Sequence, residues 1–139
     1  MNKLNIFLKN FAIYFVILIV FSGCIGNIVG TDVRQPKEGQ KGRYSQSFNC
    51  SFPACYEGVQ EILQEMRVLI FYKNQKKRMI SAMYFSSIYK NCNDTTEVGI
   101  FFKEIASGKT QIDVICGNYN LAKFASEQIF SQLKERLSQ

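Results

Sequence analysis

The stretch Gln111-Ile-Asp-Val-Ile-Cys116 and the segment 121–137 behind it decide the fold. Every second residue of the first stretch is apolar, which is the pattern of a strand with one buried face. In the second segment apolar residues recur at intervals of three and four, which predicts an amphipathic helix. Asn118 or Asn120 is a suitable residue to cap that helix. The carboxyl-terminal third therefore predicts a strand followed by a helix that packs on it.

Three further strand patterns precede this unit. Residues 95–105 form the strand nearest to it, with Val98, Ile100 and Phe102 on one face. Residues 79–89 alternate loosely, and residues 68–72 resemble a short buried strand. Because the connections are short, these strands are expected to form an antiparallel meander.

A second helix and a first strand are predicted upstream. Apolar residues at helical spacing from Cys55 to Met66 predict a helix over 53–66, with Pro53 in its first turn. Residues 44–50 alternate weakly and form a first strand if the sheet has five strands rather than four. The expected fold is α+β, a two-layer sandwich in the order β-α-β-β-β-β-α. Both helices cover one face of an antiparallel sheet.

Composition restricts the chemistry of this chain. The 139 residues contain no histidine, which removes Ser-His-Asp and Cys-His catalysis and the commonest zinc ligand sets. Glu97 and Asp113 are predicted to share the outer sheet face, but no recognisable catalytic constellation surrounds them. We therefore predict no catalytic residues, no metal site and no cofactor, and expect a protein that is not an enzyme.

The amino terminus has a distinct pattern. Lys3 and Lys9 precede the apolar run 11–21, and Ser22-Gly23-Cys24 follows it. This arrangement resembles a bacterial lipoprotein signal, in which the peptidase cuts before the cysteine and the thiol carries a diacylglycerol. The resemblance implies that Cys24 is the lipidation site. The alternative is an uncleaved membrane anchor, although the run is shorter than the roughly 20 residues of a membrane span.

The interpretation as a lipoprotein signal divides the chain into a signal peptide at 1–23, a lipidated flexible tether at 24–43 and a single domain at 44–139. Removing the signal leaves 116 residues with a net charge of +4. The resemblance implies a location at the cell membrane or outer membrane, facing the periplasm or the exterior. The expected partners are the membrane, through the lipid, and an envelope protein or polymer, rather than nucleic acid.

The predicted domain also resembles small bacterial lipoproteins of unknown function with a core of a helix, three strands and a helix. It is loosely similar to the helix-grip domains of an outer-membrane assembly lipoprotein. The resemblance rests on residues 110–118 with the helix behind them, and on the helix before residues 68–72. Its motifs are apolar patterns, so it implies no functional residues.

Four cysteines remain in the predicted domain: Cys50, Cys55, Cys92 and Cys116. An even number in an exported domain favours disulfide bonds. If they pair, the predicted topology favours Cys50 with Cys55 and Cys92 with Cys116. The alternative is that they are buried thiols, which are common in protein cores.

Two surface features are candidates for binding. A basic cluster, Lys73, Lys76, Lys77 and Arg78, is able to contact anionic headgroups or wall polymers, although a solvated hairpin turn is the simpler interpretation. Aromatic side chains on the outer sheet face, Tyr84 and Phe101, indicate a partner surface. We therefore predict a non-catalytic binding or structural role; the alternative is a small carrier of a lipid or other apolar ligand between sheet and helices.

Overall fold

The structure is a computed structural model, and it describes residues 41–93 and 95–138. The predicted signal peptide, Cys24 and most of the predicted tether lie outside these residues. The described residues form five strands, two α-helices and one short 3-10 turn. Their bounds are β1 Arg43–Phe48, α1 Phe52–Glu65, β2 Leu69–Asn74, β3 Met79–Met83, the 3-10 turn Phe85–Ser87, β4 Val98–Ala106, β5 Lys109–Cys116 and α2 Tyr119–Leu137.

The five strands form one antiparallel sheet in the order β1-β5-β4-β3-β2. The predicted α+β sandwich and its element order are confirmed. The first strand, which the sequence left uncertain, is present as β1, so the sheet has five strands rather than four. Strands β2 to β5 form the predicted meander, since each pairs with its neighbour in sequence. The chain leaves β1 at one edge, passes through α1 and enters β2 at the opposite edge. Among the described strands, β1 and β2 are therefore the two edges.

The core lies between the helices and one face of the sheet. The predicted inward residues of β4 and β5 belong to it, and Ile100, Ile112 and Val114 are completely buried. Helix α2 contributes a continuous apolar stripe that includes Leu121, Ala125 and Ile129. This packing follows directly from the period of two in the strands and of 3.6 in the helix. The burial of apolar surface is the main source of the domain's stability.

Local sequence explains where both helices begin. Ser51 is the N-cap of α1, and proline stands in its first turn, where the missing N–H costs nothing. Asn118 is the N-cap of α2, and its side chain accepts a hydrogen bond from the Leu121 N–H at 3.1 Å. The cap predicted as Asn118 or Asn120 is therefore Asn118.

The third strand is shorter than the alternation predicted. It ends at Met83, because Tyr84 has a left-handed backbone with φ of 64° and the 3-10 turn follows at once. Phe85, the first residue of that turn, lies in the core and is completely buried. The extension of this strand to residue 89 is therefore wrong.

Within residues 41–93 and 95–138, no helix has the combination of length and hydropathy needed to cross a bilayer.

Candidate functional site

The cysteines that flank the β1–α1 connection form a disulfide. Cys50 follows β1 and Cys55 lies in the first turns of α1, with a Cα–Cα distance of 5.8 Å. The carbonyl of Cys50 also accepts a hydrogen bond from the Thr110 hydroxyl at 3.0 Å. The bond therefore fixes the start of α1 against β1 and β5. The first predicted pairing is confirmed.

The second predicted pairing, Cys92 with Cys116, is not formed in the structure. Both thiols lie at one end of the sheet, but each has a different hydrogen-bond partner. The Cys92 thiol donates to the Tyr89 carbonyl at 3.2 Å, and the Cys116 sulfur accepts from the Asn118 N–H at 3.4 Å. Burial raises the pKa of the Cys116 thiol above its usual value, because a thiolate there would be poorly solvated.

The basic cluster is divided by the fold into two parts. Lys73 and Arg78 interact with their own domain: Lys73 donates to the Gln60 side chain at 3.2 Å, and the Arg78 guanidinium lies 4.9 Å from the ring centroid of Phe52. Lys76 and Lys77 are exposed in the β2–β3 turn. Lys73 and Arg78 are therefore in contact with other side chains of the domain, and the turn presents Lys76 and Lys77 to solvent.

The face of the sheet opposite the helices carries a polar network. Arg43 forms an ion pair with Asp113 at 2.8 Å, and the Gln111 amide donates to the same carboxylate at 2.9 Å. The Ser81 hydroxyl donates to Glu97. The carboxylates of Asp113 and Glu97 do not meet, and the strand register explains why. Asp113 pairs with Phe101, which lies four residues, or about 13 Å, beyond Glu97 along the chain.

The centre of this outer face is not exposed. Met79, Ser81, Asp113 and Ile115 have at most 5% of their surface accessible. Phe101 lies between two of them, opposite Met79 and Asp113, and is only partly exposed. The outer face therefore does not present the open aromatic surface that the sequence predicted there.

Tyr84 and Phe101, the two predicted partner-face residues, are far apart. Phe101 pairs with Met79 at the beginning of β3, whereas Tyr84 follows its end. Five strand residues separate the two levels, which is about 16 Å. Tyr84 is 46% exposed and belongs to a different surface from Phe101.

That surface is an apolar strip on the edge strand β2. We define the β2 strip as Leu69, Phe71, Tyr72 and Tyr84, whose exposed fractions are 49%, 59%, 39% and 46%. Tyr84 lies beside Leu69, because Leu69 pairs with Met83 and Tyr84 is the next residue after Met83. A register shift between Ile70 and Tyr72 places Phe71 at an irregularity of the edge.

Apart from Tyr84, the residues of the β2 strip are not predicted by the sequence, because the pattern of residues 68–72 indicates a buried strand. A continuous apolar run is ambiguous, since it also describes an edge strand with an exposed contact surface. The feature of the sequence that indicates an edge strand here is the positive charge on either side of the apolar run. Arg67 and Lys73 bracket the strip, and lysine is a common protective residue on edge strands.

Among the described residues, buried side chains of the sheet and of both helices form one apolar cluster in the space between them. Phe52, Tyr56 and Phe102 form an aromatic cluster there, with ring centroids 5.1–6.0 Å apart. A cavity of about 530 Å³ lies instead at the rim of the sandwich, between β1 and α2. Among the described residues, no group of three histidine, cysteine or acidic side chains is arranged to hold a metal ion.

Comparison of the chain with models of known protein families and with curated protein sequences gives no match.

Proposed function

We propose that this chain is a lipid-anchored protein of the bacterial cell envelope with a non-catalytic role, and that it binds another envelope protein through the β2 strip. The observation that carries the binding role is the concentration of exposed large apolar side chains on one sheet edge. Contiguous exposed apolar residues usually mark interaction sites. The unpaired main chain of an edge strand adds directional hydrogen bonds to such a contact.

The charges around the strip indicate the chemistry of the partner. Arg67 precedes the strip, Lys73 follows it, and Lys76 and Lys77 extend the positive charge into the neighbouring turn. A partner that presents an apolar strand with acidic residues on both sides is complementary to this arrangement. Lipid anchoring supports the same role, because it holds the domain at a membrane where such partners are concentrated.

The disulfide supports the location. Disulfide bonds persist in oxidising compartments outside the cytoplasm, and Cys50–Cys55 lies within the folded domain. The lipoprotein-like signal and Cys24 lead to the same compartment. Partner binding is favoured over carriage of an apolar ligand because the described side chains between the sheet and the helices belong to one buried apolar cluster.

A photo-crosslinking residue placed at Phe71 in cells tests the binding role. We expect one discrete adduct, which the same probe at Ile105 does not give. Ile105 is the control because it is an exposed large apolar residue, 41% accessible against 59% for Phe71, and lies in β4, outside the β2 strip. Identical diffuse products from both positions would contradict the binding role.

The anchor is tested separately. A Cys24→Ser variant is expected to lose incorporation of labelled palmitate and to leave the membrane fraction. Unchanged labelling and unchanged membrane association would refute lipidation at Cys24, whatever the result of crosslinking.

A further inference from the structure

The cavity between β1 and α2 is a groove with one wall made by an edge strand. Tyr44, Ser45 and Gln46 line it from β1. The residues that line it from α2 are Ser126, Glu127, Phe130, Ser131 and Lys134. Its volume of about 530 Å³ lies within the range of ligand-binding clefts, roughly 300–1,000 Å³.

The register of β1 shows which main-chain groups face this groove. The Cys116 N–H donates to the Gly42 carbonyl at 3.1 Å, which places Gly42 among the residues that bond to β5. In an antiparallel ladder such residues alternate with residues whose N–H and C=O point away. Tyr44 therefore bonds to β5, whereas the amides and carbonyls of Ser45 and Ser47 point outward from the edge.

Two ring contacts fix the direction of α2 relative to β1. The rings of Tyr44 and Tyr119 are 5.7 Å apart, and so are those of Phe48 and Phe130. The helix therefore runs alongside β1 in the same direction.

The two charges of the groove follow from that direction. Glu127 precedes Lys134 along the groove, and seven helical residues, about 10 Å, separate them. Glu127 also forms an exposed ion pair with Lys123 at 4.0 Å, which leaves its carboxylate accessible to solvent. The groove thus has a negative and a positive position beside a strand edge.

Tyr44 lines the groove, and burial and the neighbouring Tyr119 hydroxyl raise the pKa of its hydroxyl to about 12.

We propose that this groove binds an extended peptide segment of another protein, which adds to β1 as an antiparallel sixth strand. Its acidic side chain faces Lys134, and a basic side chain further along faces Glu127. An antiparallel peptide runs opposite to β1 and α2, so it passes Lys134 before it passes Glu127. Its acidic residue must therefore precede its basic residue in sequence. Edge-strand addition of this kind takes affinity from the main chain and specificity from alternate side chains. The inference concerns a different surface from the β2 strip and goes beyond the proposed function.

Two fluorescent nine-residue peptides of the same composition test the charge order. One alternates threonine and valine with glutamate third and lysine seventh, and the other exchanges these two charges. Fluorescence anisotropy with the full-length chain in detergent micelles should show saturable binding of the first, about tenfold tighter than the second. Equal affinities, or no saturable binding of either peptide, would overturn the inference.

Variants of the chain test the position. The double substitution Glu127→Lys with Lys134→Glu should reverse the preference between the two peptides. The control, Glu57→Lys with Lys109→Glu, exchanges exposed charges outside the groove and should leave the preference unchanged. Retention of the original order in the Glu127/Lys134 variant would contradict the proposed contacts.

A proline substitution tests strand addition itself. Ser45→Pro removes an outward amide without removing a bond to β5, and proline is tolerated on edge strands. This variant should abolish binding of both peptides while the circular dichroism spectrum stays unchanged. If the variant does not fold, the Glu127/Lys134 charge exchange tests the groove in its place. The variant Phe71→Ala should leave peptide binding intact. Loss of binding in that variant instead would place the peptide on the β2 strip and refute the groove.

Discussion

Reduction of the Cys50–Cys55 disulfide should lower the stability of the domain by a predictable amount. The two cysteines are five positions apart in the sequence. In the chain-entropy model, closing so short a loop removes about 7 cal/mol/K from the unfolded state, or about 2 kcal/mol at 25 °C. For a domain of this size each kcal/mol corresponds to about 4–8 °C in Tm. Reduction is therefore expected to lower Tm by roughly 8–16 °C.

Thermal unfolding of the full-length chain, followed by circular dichroism with and without a phosphine reductant, measures this shift. Mass spectrometry after alkylation verifies that the bond is reduced. A double variant, Cys50→Ala with Cys55→Ala, should lose its response to the reductant. Cys116→Ala should keep the response, because Cys116 forms no disulfide in the structure.

A complete reduction that leaves Tm unchanged would refute the reasoning. It would mean that the β1–α1 connection is already held by other contacts, such as the Thr110 hydroxyl on the Cys50 carbonyl. A response that persists in the double variant would assign the effect to a different cysteine pair.

Three further outcomes are expected. Gly42→Ala should destabilise the domain more than Gly108→Ala in denaturant titrations. Both glycines have positive φ, and a left-handed backbone costs a residue with a side chain about 1–2 kcal/mol. Of these two positions, only at Gly42 would the added Cβ also lie 2.3 Å from the Cys116 carbonyl oxygen. Equal losses would contradict this contact. Cys116 should resist alkylation at pH 8 until the domain unfolds, since it is buried and its thiol pKa is raised; mass spectrometry that finds it modified in the native state would exclude the burial. Tyrosine absorbance should show a component ionising near pH 12 that Tyr44→Phe removes, and stability should fall as pH rises from about 10 through 12, because the unfolded state loses this proton first. A titration in which every tyrosine ionises near pH 10 would contradict it.

Local patterns were sufficient for much of the fold. The alternation in β4 and β5 identified their buried faces, because a strand with one covered face has a period of two. Short connections then required neighbouring strands to pair in an antiparallel meander. The first disulfide could also be predicted, since Cys50 and Cys55 are separated only by the connection between two elements.

The candidate sites were harder to predict, because exposure depends on the neighbours of a strand. Residues 69–72 have the composition of a buried strand, but β2 has a partner on one side only among the described strands. The sequence predicts that Tyr84 and Phe101 share a surface, but the register places Phe101 beside Met79, five positions before Tyr84. The groove beside β1 required knowing that β1 joins β5 at an edge and that α2 runs along it.

The sequence by itself determined the element order, the inward faces of β4 and β5 and the lipoprotein-like start that makes Cys24 the predicted lipidation site. These are local properties, written in the spacing of apolar residues and in short motifs. Only the tertiary structure decided which strands are edges, which cysteines bond and where the exposed apolar and charged side chains meet. Those outcomes depend on contacts between residues far apart in the chain. For example, Arg43 and Asp113 form an ion pair although 70 positions separate them.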